Sequence, residues 1–208
     1  MRLAKLPANS DAPRPRRRKR HGDEARSEGL AAARTLLLEE GPAAVTLANV
    51  GKKIGMSHAN VLHHFGSAAG LQSALMGSMI RDLTGALDDA VDHLRSDAGA
   101  PRSLVDQVFD AFDKGGAGQL AAWIALSRDY GHLEPVREAV QSLVAALGEK
   151  FPEDGSDARV RAAVLMVAIC AFGDAVIGTQ LRDILGQGDQ EMRNLTAKLL
   201  PMFILSQL

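Results

Sequence analysis

Apolar residues recur every three to four positions along this chain, and no stretch alternates apolar with polar as a half-buried strand would. Leu30, Ala33, Leu37 and Leu38 share one face of a first predicted helix, which Asp23 opens as N-cap and Gly41-Pro42 stops. Thr46 caps a short helix over LANVGKKI, with Val50 and Ile54 turned inward. GMS forms a tight turn, and Ser57 caps a second short helix through about His64. Ser67 caps a long fourth helix to about Arg95, along which Leu71, Leu75, Met79, Leu83 and Leu87 recur. Further helices are expected at about 102–114, 118–130, 134–150, 156–186 and 189–206. Gly115-Gly116, Gly131, Pro135, FPEDG and GQG punctuate them. The expected fold is all-α, with about nine helices, no internal repeat and no sustained heptad.

Composition agrees: Trp123 and Tyr130 are each the only one of their kind, and Ala, Leu and Gly dominate the 208 residues. Cys170 is the only cysteine, which excludes an intrachain disulfide and fits a reducing cytoplasm. The first twenty residues lack the apolar core of a secretory signal, and Pro7, Pro13 and Pro15 break any amphipathic transit helix. The longest apolar run, Ala162–Gly173, is interrupted by Asp174; it reads as a buried helix too short to span a bilayer. No membrane partner is expected.

The net charge of −1 conceals a strong asymmetry. Residues 1–22 carry eight basic side chains against Asp11 alone, a net of +7, and the remainder carries −8. A basic, Pro-rich arm, expected to be disordered, therefore precedes an acidic body, an asymmetry that suggests a polyanionic partner.

Three histidines fall within SHANVLHHFG: His58, His63 and His64. Helical metal ligands want spacings of three or four. His58 and His63 are five apart, roughly 140° around a helix, and no Cys, Asp or Glu stands near them in sequence. A histidine base would need an orienting carboxylate, yet no acidic residue occurs from Gly41 to Arg81. Neither a metal site nor a catalytic site is expected, and no cofactor. The acid-free window holds Lys52, Lys53 and Arg81 besides the histidines, as a surface approaching phosphates requires.

The two short helices around the turn form a helix-turn-helix, with Gly51 and Gly55 small where the helices approach and turn. The second helix of such a unit enters the major groove with its first residues against base edges. Here those are His58, Ala59 and Asn60: Asn suits adenine N6 and N7, and a methyl suits thymine. The helix N-terminus at Ser57 suits a phosphate. Thr46, Lys52, Lys53, His63 and His64 complete the expected DNA surface. The competing reading of the histidines is that one of them packs beneath Phe65.

The stretch AARTLLLEEGPAAVTLANVGKKIGMSHANVLHHFGSAAGLQSAL resembles the TetR family of bacterial transcriptional regulators, with Gly41, Thr46, Val50, Ile54, Gly55, Ser57, Val61, His64, Phe65, Ser67 and Leu71 in register. It covers about a fifth of the chain. The resemblance implies that His64 contacts phosphate. Two positions depart from the family pattern: Leu62 stands where a phosphate-binding Tyr is usual, and Ala68 where a Lys is usual. Residues 23–80 carry a net charge of only −1. Arg14, Arg16, Arg17, Arg18, Lys19 and Arg20 are expected to compensate from the arm by entering a neighbouring minor groove. The rival reading is that DNA binding has been lost.

The expected organisation is thus a basic arm (1–22), a three-helix DNA-binding domain (23–66) and a helical ligand-binding and dimerisation domain (67–208). By resemblance the last domain dimerises and binds a small molecule. The helix at about 156–186, rich in small residues, is the expected homodimer seam, shared with the helix at about 189–206. Phe109, Phe112, Trp123, Leu126, Tyr130, Met166 and Cys170 are candidates for an apolar or aromatic effector's pocket. Asp174 is open between a ligand partner, an Arg partner across the dimer and simple exposure. Gly70, Gly77 and Gly85 weaken the fourth helix, the expected lever between the halves. The function expected is a cytoplasmic, non-enzymatic repressor, released from a palindromic double-stranded operator by a small, largely apolar ligand. The alternatives are an architectural DNA-binding protein and, least favoured, an enzyme on a helical scaffold.

Overall fold

A computed structural model describes residues 22–94, 96–151 and 156–205. They form an all-helical fold, with no strand among the described residues. The helices are α1 (Gly22–Glu40), α2 (Leu47–Ile54), α3 (His58–Phe65), α4 (Ala68–Asp92), α5 (Ala100–Phe112), α6 (Ala117–Ser127) and α7 (Glu134–Lys150), then α8 (Ser156–Gly173), α9 (Thr179–Leu185) and α10 (Glu191–Leu205). Short 3₁₀ turns lie at Pro42–Ala44 and Tyr130–His132.

The capping serines and threonine act as their sequence positions demand. The side chains of Thr46, Ser57 and Ser67 accept from the backbone N–H groups of Asn49 (3.1 Å), Asn60 (3.2 Å) and Gly70 (2.9 Å). Each satisfies a donor that the first helical turn leaves orphaned.

Two hydrophobic cores result. The first joins α1–α4 to the start of α6 around Leu37, Val45, Val50, Val61, Leu71 and Leu120. The second joins the rest of α4 to α5, α7, α8 and α10 around Leu87, Val105, Phe109, Val144, Val167 and Leu200. Ile80 of α4 and Phe112 of α5 pack against both. Polar contacts pin α10 to α5: Arg193 reaches Asp106 (3.3 Å) and Asp110 (2.8 Å) while lying 5.3 Å above the Phe109 ring. Arg102 reaches Gln190 at 2.6 Å and also bonds Asn194. Burial works to raise the Asp110 carboxyl, but hydrogen bonds from Arg193 and Lys114 outweigh it and hold it below the usual carboxylate range.

Several expectations need correction. Leu38 is 52% exposed, because the buried face of α1 runs through Ala25, Gly29, Ala32, Ala33, Leu36 and Leu37 instead. The helix expected over about 156–186 is not uniform: a π-turn, Asp174–Gly178, joins α8 to α9. Asp174 does not end the helix, because its carboxylate is paired with Arg182 two turns on. Ser156–Leu185 therefore runs for 30 residues and, by length and composition alone, is long and apolar enough to cross a membrane. Nor is α8 simply buried: Val160, Ala163, Val167 and Ala171 face the core, whereas Leu165 and Ile169 are exposed. Of the α4 glycines, Gly70 and Gly77 are close approaches, a Cβ at Gly77 falling 2.5 Å from the Pro135 carbonyl oxygen. Gly85 faces open space. The arm residues Arg14, Arg16, Arg17, Arg18, Lys19 and Arg20 lie outside the described residues.

Two outcomes are expected from this packing. In Gly51→Ala the new Cβ would lie 2.8 Å from the Met56 carbonyl oxygen. The crowding costs about 1–3 kcal/mol, outweighing the roughly 1 kcal/mol that Ala gains over Gly in a helix. Gly148→Ala on α7 meets nothing within 4 Å and should be stabilising by up to about 1 kcal/mol; urea melts of the two variants should move in opposite directions. A depressed carboxyl contributes stability at neutral pH that is lost as pH falls through its folded pKa. The stability gap between the natural chain and Asp110→Asn should therefore be full near pH 7 and close below about pH 4. A gap unchanged across that range would refute the pairing.

Candidate functional site

The helix-turn-helix is built on backbone constraints. Gly55 closes α2 in the left-handed region (φ 67°), and the Met56 N–H returns to the Gly51 carbonyl at 2.8 Å. With the turn so fixed, Val61 and Phe65 of α3 point into the first core. The opposite face presents His58, Ala59 and Asn60 at the N-terminus, with Leu62 and His63 beyond them, all exposed. The Asn60 side chain has no hydrogen-bond partner among the described residues. His63 and His64 meet edge to face, with ring centroids 5.7 Å apart. His64 is half-buried and His63 is not, so the pair straddles the border of the surface. No group of three or more His, Cys, Asp or Glu side chains among the described residues could hold a metal.

Sequence reasoning missed the grip of α1 on the C-terminus of α3. The Arg26 guanidinium donates to the His64 carbonyl at 2.5 Å and lies 4.9 Å over the Phe65 ring. A cation there complements the helix C-terminus. The ring itself presses on Gly29, where a Cβ would lie 2.9 Å from it. Arg26 and Gly29, three apart on the face of α1 toward α3, were the available signal.

The basic residues of this unit are largely engaged. Lys53 pairs with Glu39 (2.9 Å) and Arg34 with Asp82 (2.7 Å). Lys52 is exposed and has no ion-pair partner among the described residues. Thr46 is half-buried and occupied as a cap. Ser57, also a cap, remains exposed beside the surface.

A cavity of about 150 Å3 lies between α4, α5, α7, α8 and α10. Its lining is hydrocarbon throughout, including Ile80, Leu87, Phe112, Leu143, Val164 and Leu200. Of the expected pocket residues only Phe112 lines it. Phe109 is core beneath Arg193. Met166 and Cys170 pack at the edge of that core. Trp123 and Leu126, 39% and 81% exposed, sit on the outer face of α6, whose inner face is taken by Ala117, Gly118 and Leu120. Asp174 pairs with Arg182 of its own chain, both nearly buried. Tyr130 lies outside the residues whose side chains are described.

One further surface stands out. Leu165, Ile169, Val176, Ile177, Leu181 and Ile184 are exposed along α8, the π-turn and α9, and α10 beside them exposes Leu195 and Met202. Such an apolar expanse marks an interaction surface.

Comparison with known proteins follows the same division. The sequence pattern of the bacterial regulatory proteins of the tetR family matches residues 30–75. A curated relative, the HTH-type transcriptional regulator BetI of Stenotrophomonas maltophilia (strain R551-3), is 39% identical over 77 residues, 35% of this chain. The chain spans 37% of that protein's length in the match. Among solved structures, the fold is similar to a transcriptional regulator of Streptomyces coelicolor A3(2), SCO7518 (TM-score 0.62, 17% identity, 88% of this chain and 99% of that one). It is also similar to FadR of Thermus thermophilus, a TetR-family transcriptional repressor solved with lauroyl-CoA (TM-score 0.59, 15% identity, 88% and 96%). The helix-turn-helix segment, residues 30–75, thus matches the TetR family of bacterial regulatory proteins, and the whole described fold is similar to solved structures of 15–17% identity.

Proposed function

We propose that the chain is a homodimeric, sequence-specific transcriptional regulator, a repressor that leaves a palindromic operator when a small, largely apolar ligand binds. The observation that carries this reading is the surface of α3. Its exposed first turn offers His58, Ala59 and Asn60, with no carboxylate in the sequence between Gly41 and Arg81. In this reading Asn60 reads adenine, Ala59 touches a thymine methyl, and Ser57, Lys52, His63 and His64 meet phosphates. Lys53 contributes only by leaving Glu39. The domains are a DNA-binding unit at 23–66 and a ligand-binding and dimerisation unit at 67–208, with the arm adding charge. The relative BetI carries the name of a transcriptional regulator, and FadR that of a repressor solved with lauroyl-CoA; both support the assignment. Such a regulator works in the cytoplasm, on double-stranded DNA.

The exposed apolar face of α8, α9 and α10 supports the dimer. A two-fold operator requires two recognition helices about one DNA turn apart, and a self-complementary apolar face supplies the symmetry.

Selection from a genomic fragment library at physiological salt tests the central reading: the full chain should enrich one palindromic motif. A chain beginning at Gly22 should recover the same motif with lower affinity and a shallower salt dependence. Enrichment of no motif by either form removes the specific-regulator reading. Asn60→Ala should weaken the selected site by about 1–3 kcal/mol and relax preference at one base pair. Ile169→Asp should shift sedimentation from dimer to monomer and lower operator affinity with it; an unchanged dimer would move the seam elsewhere.

A further inference from the structure

The hydrocarbon cavity has a polar neighbour. A second pocket, between α4 and α7, shares Leu87, Val91 and Leu147 with it, and is otherwise lined by Thr84, Gly85, Asp88, Ala146 and Lys150. Nothing obstructs this pocket at Gly85, where a Cβ would meet nothing within 4 Å. A ligand can therefore lie with one end among aliphatic side chains and the other at this rim.

The hydrogen-bonding inventory of the rim decides which chemistry fits. Lys150 is its one charged donor, and its ammonium is held by Asp88 (2.8 Å) and Asp92 (2.7 Å). The hydrogen bonds it donates to these carboxylates raise the lysine above its ordinary range. The Thr84 hydroxyl donates to the Ile80 carbonyl at 2.8 Å, which leaves only its lone pairs for a ligand. The remaining valences of Asp88 are acceptors as well. Two carboxylates around one ammonium leave a formal charge of −1. An anionic head would have to displace Asp88 or Asp92 from Lys150 and then face the carboxylate it displaced. A cationic donor meets free acceptors and a complementary charge.

We infer that the effector is an amphiphilic amine: a hydrocarbon group in the cavity and an ammonium at the α4–α7 rim, bonded to Asp88 and Thr84. This rests on the effector-binding reading above and names its ligand class. An apolar cavity of about 150 Å3 accepts a hydrocarbon of roughly benzene size, so the tail has about six carbons. An ammonium that competes for Asp88 also loosens the Lys150 clasp between α7 and α4, the helix that leads to the recognition unit.

The test titrates the full chain, without DNA, with hexylammonium, hexanol and hexanoate at neutral pH and low salt, followed by ligand-observed NMR. Affinity should fall in that order, with hexylammonium about tenfold tighter than hexanoate, and the preference should shrink with added salt. Asp88→Asn should erase the preference and leave hexanol binding unchanged. Gly85→Leu, a change toward a better helix former at an open position, should weaken all three ligands without lowering the melting temperature. Equal or tighter binding of hexanoate overturns the inference, and so does no binding of any ligand. The expected order of affinities together with no motif enriched in the fragment selection would instead sink the regulator reading and leave the site intact.

Discussion

One helix has to satisfy both cores. The N-terminal half of α4 buries Leu71, Leu75 and Met79 against α1–α3 and α6, and its C-terminal half buries Leu87 and Val91 against α5 and α7. Between them Ile80 touches both cores, and Gly77 lies against the Pro135 backbone with no space for a side chain. Close-packed interiors do not deform continuously. A change around the cavity that moves one end of α4 must move the other, with the Gly77–Pro135 contact as the natural fulcrum.

At the other end of that lever, the recognition unit spends its cations on itself. Arg26 holds the C-terminus of α3, Lys53 holds Glu39, and Arg34 holds Asp82 of α4. The last two, exposed ion pairs, contribute little to stability individually, but they remove positive charge from the face that would meet phosphate. Leu62, 40% exposed where a phosphate-binding side chain is usual in the family, deepens the deficit. In the proposed function the electrostatic share of affinity then falls to the arm and to Lys52. Salt dependence therefore becomes a readout of the arm rather than of the helix-turn-helix.

The sequence made some of this legible and not the rest, for physical reasons. Caps and turns are local chemistry: Thr46, Ser57, Ser67 and Gly55 could be assigned because each acts on neighbours within three or four positions. The 134–150 helix is bounded where Pro135 and the following loop said it would be. Leu38 misled because Leu36 and Leu37 already fill the buried arc of α1, and the next residue, about 100° further round the helix, falls on the solvent side. The pocket misled more deeply. Trp123 and Leu126 are chemically suited to a ligand, yet the register of α6 turns them outward. The actual lining, Leu87, Leu143, Val164 and Leu200 among others, is indistinguishable in sequence from ordinary core. A void is a property of how helices cross, which no single segment encodes. The Arg26 grip was legible only as a pair of small and basic residues on the face of α1.

The segment from α8 to α9 inverts the usual order of a helix in water. Its ion pair, Asp174 with Arg182, is turned inward and nearly buried, while Leu165, Ile169, Ile177 and Ile184 face out. Gly178 lies between the paired residues; a Cβ there would come within 2.5 Å of the Asp174 carboxylate and 2.7 Å of the Arg182 guanidinium. The π-turn and the glycine together let the charges meet across two turns. The apolar composition alone would also suit a bilayer. Yet Val160, Ala163, Val167 and Ala171 are committed to the second core and α10 packs against the same helix, so one face remains uncovered rather than the whole circumference. An uncovered face asks for one flat partner. A second copy of the same face is the partner that would also set two α3 helices in the symmetry a palindrome demands.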